Sequence, residues 1–299
     1  MNNLKNTSIL YLEDVFKLYG TKVILDDIDL AVGEKEIVTV VGPSGCGKST
    51  LLRLILGQEA PTSGTLLLNG KPIGLPDSTR GIVYQKYSLF PNRTVLGNVL
   101  EGSRLSLGFY ERHHRKKELI DEAIHYIEKV KLEKHMHKYP HELSGGMRQR
   151  VAIAQSLIMK PKFLLMDEPF GALDPGTRES MQIFLLEVWE EYGMNIFFVT
   201  HDLEEAVFVG TRILVLSQYY TDDRGNGGDI NRGSKIVCDY CLPAMATSTK
   251  VKETAEFGEL IQQIRHEGFD PEYTQHAKNF NLKHPHSFQT LGEEICQPQ

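Results

Sequence analysis

The run Gly42-Pro43-Ser44-Gly45-Cys46-Gly47-Lys48-Ser49-Thr50 fits the pattern G-x-x-x-x-G-K-[ST]. Glycines let a backbone wrap closely around phosphate oxygens, with successive N–H groups pointing inward. A helix opening directly after such a loop adds free amides and a favourable dipole. Lys48 is then expected to reach the β- and γ-phosphates of a nucleotide, and the Ser49 hydroxyl to ligate Mg²⁺. The flanking residues suit this reading. Ile37 to Val41 is a compact β-branched run, and Ser49 to Leu56 has the apolar spacing of a helix closed by Gly57.

A second set of reactive groups lies further along. Phe163-Leu164-Leu165-Met166-Asp167-Glu168 is an apolar run ending in two carboxylates. A buried strand of this kind delivers them to the carboxyl edge of a sheet, where α/β proteins place their ligands. Asp167 is expected to hold Mg²⁺, and Glu168 to polarise an attacking water as general base. Acidic residues often follow strands, so the pair takes its meaning from the phosphate loop.

The elements that must position these groups follow an α/β rhythm. Residues 9 to 41 read as short strands with Gly20 and Gly33 at turns, and residues 65 to 84 return to strand-like runs. From about Thr94 to Met159 the character changes. Glu101 to Lys138 is rich in charge, with Leu119, Ala123, Ile127 and Val130 at helical spacing, and predicts a mostly helical, exposed insert. Strand Phe163 to Met166, helix Thr177 to Tyr192, strand Ile196 to Thr200, helix Leu203 to Val209 and strand Arg212 to Leu216 then follow. Buried strands joined by helices imply an α/β core with parallel pairing. Beyond the Gly/Asp/Asn-rich segment 218–233 lie one strand, Ser234 to Cys238, and one helix, Thr254 to His266. The tail after Phe269 has little periodicity and is expected to be partly disordered.

Bulk properties narrow the partners. The chain has 299 residues, 41% hydrophobic and 24% charged, with net charge −6. That mild acidity gives no electrostatic reason to expect nucleic acid. Four cysteines are too few for a disulfide scaffold, which favours a reducing compartment. The N-terminus lacks the apolar stretch of a signal peptide, and no run reaches the roughly 20 apolar residues that span a bilayer. Work at a membrane would therefore go through a partner.

Leu143-Ser144-Gly145-Gly146-Met147-Arg148-Gln149-Arg150 adds a second anion-binding pattern, a serine and two glycines opening a helix. Ordinary helix capping uses the same residues. In company with the two sets above, the run resembles the signature motif LSGGQ of ATP-binding-cassette ATPases, with Met147 in the Gln place. Gln85 resembles the glutamine of that family's Q-loop, which touches Mg²⁺. Asp174, in Ala172-Leu173-Asp174, resembles the D-loop, and His201 resembles the switch histidine that contacts the γ-phosphate. Tyr19 resembles the aromatic that stacks on adenine, with Tyr11 and Phe16 as alternatives. Gln155 stands where the family frequently has Arg, and no catalytic group is missing.

The resemblance implies a P-loop NTPase (RecA-like) α/β core over residues 7–217. It places a mainly helical signature subdomain at about 94–159, and an insert loop with a small C-terminal extension at 218–299. Gly42 to Thr50, Tyr19 and Gln85 would bind ATP. Ser49, Gln85 and Asp167 would hold Mg²⁺, and Glu168 and His201 would be catalytic. Ser144, Gly145, Gly146 and Met147 would complete the site of a second subunit, so a homodimer is expected. The implied partners are an integral membrane permease and an extracytoplasmic solute-binding protein. The implied place is peripheral, on the cytoplasmic face of the inner membrane. Leu89 to Val95 and Phe170 to Asp174 resemble importers of nitrate, sulfonate and taurine. A soluble ATPase of the same family outside transport is the alternative.

Two smaller constellations have everyday readings. Cys238-Asp239-Tyr240-Cys241 is a single CxxC without a second one, for which plain reduced cysteines outweigh a metal site. His113 to Lys117 is a basic run, and such runs are usually solvated faces.

Overall fold

The computed structural model describes residues 2–86, 88–106, 109–224, 231–242, 252 and 254–290. The chain opens with helix α1 (Asn2–Thr7), the long strands β1 (Leu10–Tyr19) and β2 (Lys22–Val32), and β3 (Ile37–Val41). Helix α2 (Lys48–Leu56), β4 (Ser63–Leu68) and the short β5 (Lys71–Pro72) follow. Next come β6 (Arg80–Tyr84) and helices α3 (Val95–Ser106), α4 (Phe109–His114), α5 (Lys116–Lys129) and α6 (Gly145–Leu157). Strand β7 (Phe163–Asp167), helix α7 (Pro175–Tyr192) and strand β8 (Asn195–Val199) lead to α8 (Leu203–Val209) and β9 (Arg212–Ser217). The last described elements are β10 (Tyr220–Thr221), β11 (Lys235–Cys241), α9 (Ala255–Phe269), β12 (Gln275–His276) and β13 (Asn281–Leu282).

The chain divides into two compact units, one of residues 1–75 with 198–299 and the other of residues 76–197. In the first, β1 lies between β2 and β4, antiparallel to both. Strand β3 runs parallel to β9, Val38 opposite Arg212 and Val41 opposite Val215. Both strands are buried along their whole length, as continuous β-branched and leucine runs require. Strand β11 adds to β9 antiparallel, and β13 to β11 parallel. Helix α9 lies over β9 and β11 at close range: a Cβ on Gly268 would come 2.2 Å from Val215 Cγ1.

Arg212 is fully buried in this unit and is matched by charge. It donates to both oxygens of Asp239 at 2.8 and 2.6 Å, to Glu36 at 3.1 Å, and to the Ala31 carbonyl at 2.7 Å. Removing one partner would strand a buried charge, which typically costs about 3–5 kcal/mol.

In the second unit β6 and β7 pair in parallel, from Arg80 opposite Phe163 to Tyr84 opposite Asp167. Helix α3 packs on α5 and α6. At Gly102 a Cβ would meet the Gln155 carbonyl at 2.1 Å, so α3 and α6 touch backbone to backbone. The stripe Leu119, Ala123 and Ile127 is buried on α5, joined by Val130 just after it, as the spacing predicts. The helical stretch begins at Val95, ahead of the charged run that suggested it. It is broken by one-turn 3₁₀ segments at Glu133–His135 and Pro140–Glu142.

Candidate functional site

The loop after β3 is built on left-handed backbone. Gly42, Gly45 and Gly47 have φ of 155°, 80° and 92°. At Gly42 any side chain is excluded outright, because a Cβ would lie 2.1 Å from the Leu216 carbonyl. Gly47 is the N-cap of α2 and has no side chain to cap the first amides. A helix start with no side-chain cap is the arrangement that suits an anion.

Lys48 is buried, and its Nζ donates to the carbonyls of Gly42 at 2.7 Å and Pro43 at 3.1 Å. The cation thus bridges the two ends of its own loop. An arriving phosphate would exchange neutral carbonyl acceptors for charged oxygens, a stronger partner. Ser44 and Gly45 are exposed at the loop's tip, Ser49 is half-buried in the first turn of α2, and Thr50 is buried. The Cys46 side chain is buried, and that burial pushes its thiol up.

His201 follows β8 and is exposed. The Thr200 amide donates to the Val40 carbonyl at 3.2 Å, which fixes the segment carrying His201 beside the end of β3. The turn is framed further by Thr200 Oγ1 donating to Glu205 at 2.5 Å. Asp202 caps α8 through the amides of Glu204 and Glu205 at 3.0 and 3.2 Å.

Of the aromatics offered for a base, Tyr11 is buried and stacked on Phe288, with centroids 5.3 Å apart and planes 7° apart. Burial pushes its phenol up to about 12. Phe16 is half-buried, whereas Tyr19 is 44% exposed at the end of β1. Its hydroxyl donates to Glu59 at 2.6 Å. Glu59 is the site residue that sequence pattern misses, since nothing in the run Gly57 to Gly64 marks a partner 40 positions away.

In the second unit the parallel register brings Gln85 and Glu168 to the same strand edge, each one residue past the last pair, Tyr84 opposite Asp167. Asp167 and Glu168 are half-buried and Gln85 is exposed. Gln85 and Glu168 converge near Gly171, where a Cβ would lie 3.1 Å from Gln85 Nε2 and 3.9 Å from a Glu168 carboxylate oxygen. Glu168 has φ of 47°, a left-handed conformation for a residue with a side chain. Such conformations cost about 1–3 kcal/mol and cluster where chemistry is done.

The same unit brings the signature residues against Asp174. Ser144 is the N-cap of α6, its oxygen accepting from the Met147 amide at 3.3 Å. Asp174 is the N-cap of α7, accepting from the Thr177 amide at 3.0 Å, and hydrogen bonding from Thr177 holds its carboxyl below the usual range. Gly146 is needed for this contact, because a Cβ there would meet Thr177 Cγ2 at 2.5 Å. Ser144, Gly146, Met147, Asp174 and Thr177 line a common hollow of about 510 Å³, with His135 and Arg150 on its wall. Gly145 follows Ser144, half-buried.

The cysteines and the basic run are differently placed. Cys238 is buried, and its thiol donates to Glu267 at 3.1 Å, while Cys241 is exposed. Cys296 lies outside the described residues, as does the His113 side chain. Arg115 in the basic run pairs with Glu118 at 2.7 Å. Among the described residues no helix is long and apolar enough to cross a membrane.

Residues 25–171 match the ABC transporter family. An ABC transporter ATP-binding protein of Methanocaldococcus jannaschii is 47% identical over 207 residues, covering 69% of this chain and 75% of the relative. The nitrate import ATP-binding protein NrtD of Synechocystis is 48% identical, covering 66% of this chain and 72% of NrtD. The taurine import ATP-binding protein TauB of Escherichia coli O157:H7 is 44% identical, covering 70% and 80%. Among solved structures, CbiO1 of Clostridium perfringens, part of the ABC transporter complex CbiONQ, superposes with a TM-score of 0.66. The match covers 87% of this chain and 95% of CbiO1 at 24% identity, and supports the fold. The fold is the α/β ABC ATPase fold, and the chain belongs to the ABC transporter family as an ATP-binding subunit that hydrolyses ATP to drive transport.

Proposed function

We propose that the chain powers an importer of a small polar or anionic solute of the nitrate, sulfonate and taurine kind. The observation that carries the ATP reading is the pre-built phosphate loop, with three left-handed glycines and a lysine already drawn across it. Identities of 48% and 44% to nitrate and taurine import proteins support the solute class. Gly42 to Thr50 bind the phosphates and Tyr19 stacks on adenine. His201 contacts the γ-phosphate.

The donor set fits Mg²⁺, a hard cation that takes oxygen ligands: the Ser49 hydroxyl, the Gln85 amide oxygen and the Asp167 carboxylate. When bound with ATP, Mg²⁺ would neutralise phosphate charge. Glu168 accepts the proton of the attacking water. Ser144, Gly145, Gly146 and Met147 of one copy close on the γ-phosphate held by the other, with Asp174 beside them, so the working unit is a homodimer. It sits peripherally on the cytoplasmic face of the membrane, against a permease served by an extracytoplasmic solute-binding protein.

Affinity capture of the full chain from detergent-extracted membranes tests this. A multi-span permease should co-purify, and the complex in vesicles should take up labelled nitrate or taurine only with ATP. Recovery of an ATPase without any membrane partner would overturn the importer reading in favour of a soluble ATPase.

A further inference from the structure

We propose that Glu59 is a positioning residue for the nucleobase, holding the Tyr19 ring so that one face stays presented to adenine. The inference rests on the reading of Tyr19 as the adenine platform. Glu59 follows helix α2, whose N-terminus carries the phosphate loop. Its carboxylate accepts from the Tyr19 hydroxyl at 2.6 Å, from Lys17 Nζ at 3.0 Å and from Arg53 at 3.2 Å. Lys17 also donates to the Ala60 carbonyl at 2.9 Å, and the Leu18 amide donates to Thr62 Oγ1 at 3.0 Å. The end of β1 and the turn after α2 are thereby tied together next to Tyr19.

An exposed tyrosine at a strand end would otherwise sample several rotamers, and a stacking partner would have to order it. Three donors on one carboxylate remove that freedom beforehand. Lys17 Nζ sits 5.1 Å from the ring centroid, so one face is occupied and the opposite face remains for a base. Hydrogen bonding from Tyr19 foremost, then from Lys17, draws the Glu59 carboxyl down to about 2, so the charge persists at every ordinary pH.

The position suits a nucleoside. A Cβ on Gly47 would lie 2.9 Å from Leu25 Cδ2 and 3.0 Å from Ile24 Cγ2 of β2, and Tyr19 pairs with Lys22 at the start of that strand. Along β2, two to three residues, about 7–10 Å, separate the positions beside Gly47 from the one paired with Tyr19.

The test compares binding of ATP and of inorganic triphosphate to the full chain, with steady-state ATPase kinetics. Tyr19→Phe keeps the ring and loses the bond; Glu59→Ala loses it from the other side. Each should weaken ATP binding about 3–10-fold, appearing in KM with kcat kept. Triphosphate affinity should be unchanged, and the double variant no worse than either single one. Glu59→Gln, which retains an acceptor, should recover most of the affinity. Tyr19→Ala should cost about tenfold or more, the loss of the stack itself. If Tyr19→Ala leaves ATP affinity intact, the platform reading fails. If it weakens ATP while Tyr19→Phe and Glu59→Ala do not, the platform stands and the role of Glu59 is overturned. A loss of triphosphate affinity in Glu59→Ala would likewise overturn it, showing a general structural effect.

Discussion

Helices α2 and α6 both begin at glycine-bearing turns, and they complete their first turns in different ways. At α2 the N-cap is Gly47, with a left-handed backbone and no capping side chain. No side chain takes its first amides, and Lys48 donates to the loop's own carbonyls. At α6 the N-cap is Ser144, whose oxygen already accepts from the Met147 amide. The second site is self-satisfied and keeps only its hydroxyl proton and remaining amides to offer. On the reading proposed above, the phosphate loop binds a nucleotide by itself, whereas the signature turn adds contacts only after another copy has delivered one. The nearest cations differ as well: Lys48 is buried within the first loop itself, whereas at the second an exposed serine caps the helix and Arg150 stands on the wall of the hollow beside it.

The strongest test of that contrast is Lys48→Ala. The loop loses its buried cation against the phosphate charge, and ATP affinity in the full chain should fall by at least about 100-fold, the scale of a desolvated charge-assisted bond. Equilibrium binding by calorimetry measures it. Near-normal affinity would mean that the loop is not the primary site.

Next in size is Glu168→Gln, which keeps shape and removes basicity. Loss of a general base typically lowers the rate about 10²–10⁴-fold. A negative charge near the γ-phosphate is also removed, so ATP and Mg²⁺ should hold two copies together. Size-exclusion chromatography should show an ATP-dependent dimer that barely turns over. Adding Ser144→Arg should abolish the dimer and spare ATP binding by the monomer. A Glu168→Gln protein that stays monomeric at high concentration, or turns over at the wild-type rate, defeats the two-copy arrangement.

These residues were legible in sequence because each site is local. A strand, a glycine turn and a helix lie within about twenty consecutive positions at Ile37 to Leu56, and the periodicity of each segment is strong. Structure added what depends on pairs far apart. Strand β11 could be read as a strand, but not its antiparallel pairing to β9, nor the buried bond between Arg212 and Asp239 that accompanies it. Residues 270–290 gave no period because β12 and β13 are two residues each. That stretch is held by the short β13 pairing to β11 and by scattered side-chain contacts, among them Phe288 on Tyr11, Ser287 to Asp239, and Thr290 Oγ1 to Asp14 at 2.5 Å. Glu59 escaped for the same reason. One acidic residue in a turn has no periodicity to betray its partner.

A smaller effect is expected from Gly47→Ala. At φ of 92° a methyl-bearing residue is strained by roughly 1–2 kcal/mol, and its Cβ would lie 2.9 Å from Leu25 Cδ2. The Leu25 contact is to the end of a flexible side chain and can relax, so the strain dominates. Thermal melting should drop by about 2–8 °C, and ATP affinity should fall with it, because the first amides of α2 turn away from the ligand. Unchanged affinity in a destabilised protein would show that the left-handed cap serves folding alone.

The smallest effect, and the sharpest on the contrast between the helix starts, is that of Ser144→Ala. Here the side chain serves as a helix cap, so its loss should cost about 1 kcal/mol of stability, a shift of about 2–4 °C. Ser144→Gly should cost only a few tenths of a kcal/mol, because glycine at an N-cap leaves the first amides open to water. Neither change touches the phosphate loop, so ATP affinity of the single subunit should match wild type in both. In the Glu168→Gln background the two should instead weaken the ATP-held dimer to the same extent, because each lacks the hydroxyl that would reach the γ-phosphate. Stability would then separate the two variants, and dimerisation would not. Melting curves and chromatography on the same preparations read both quantities. If dimer strength tracked melting temperature instead, Ser144 would be a cap and nothing more, and the signature turn would have no contact of its own with the nucleotide.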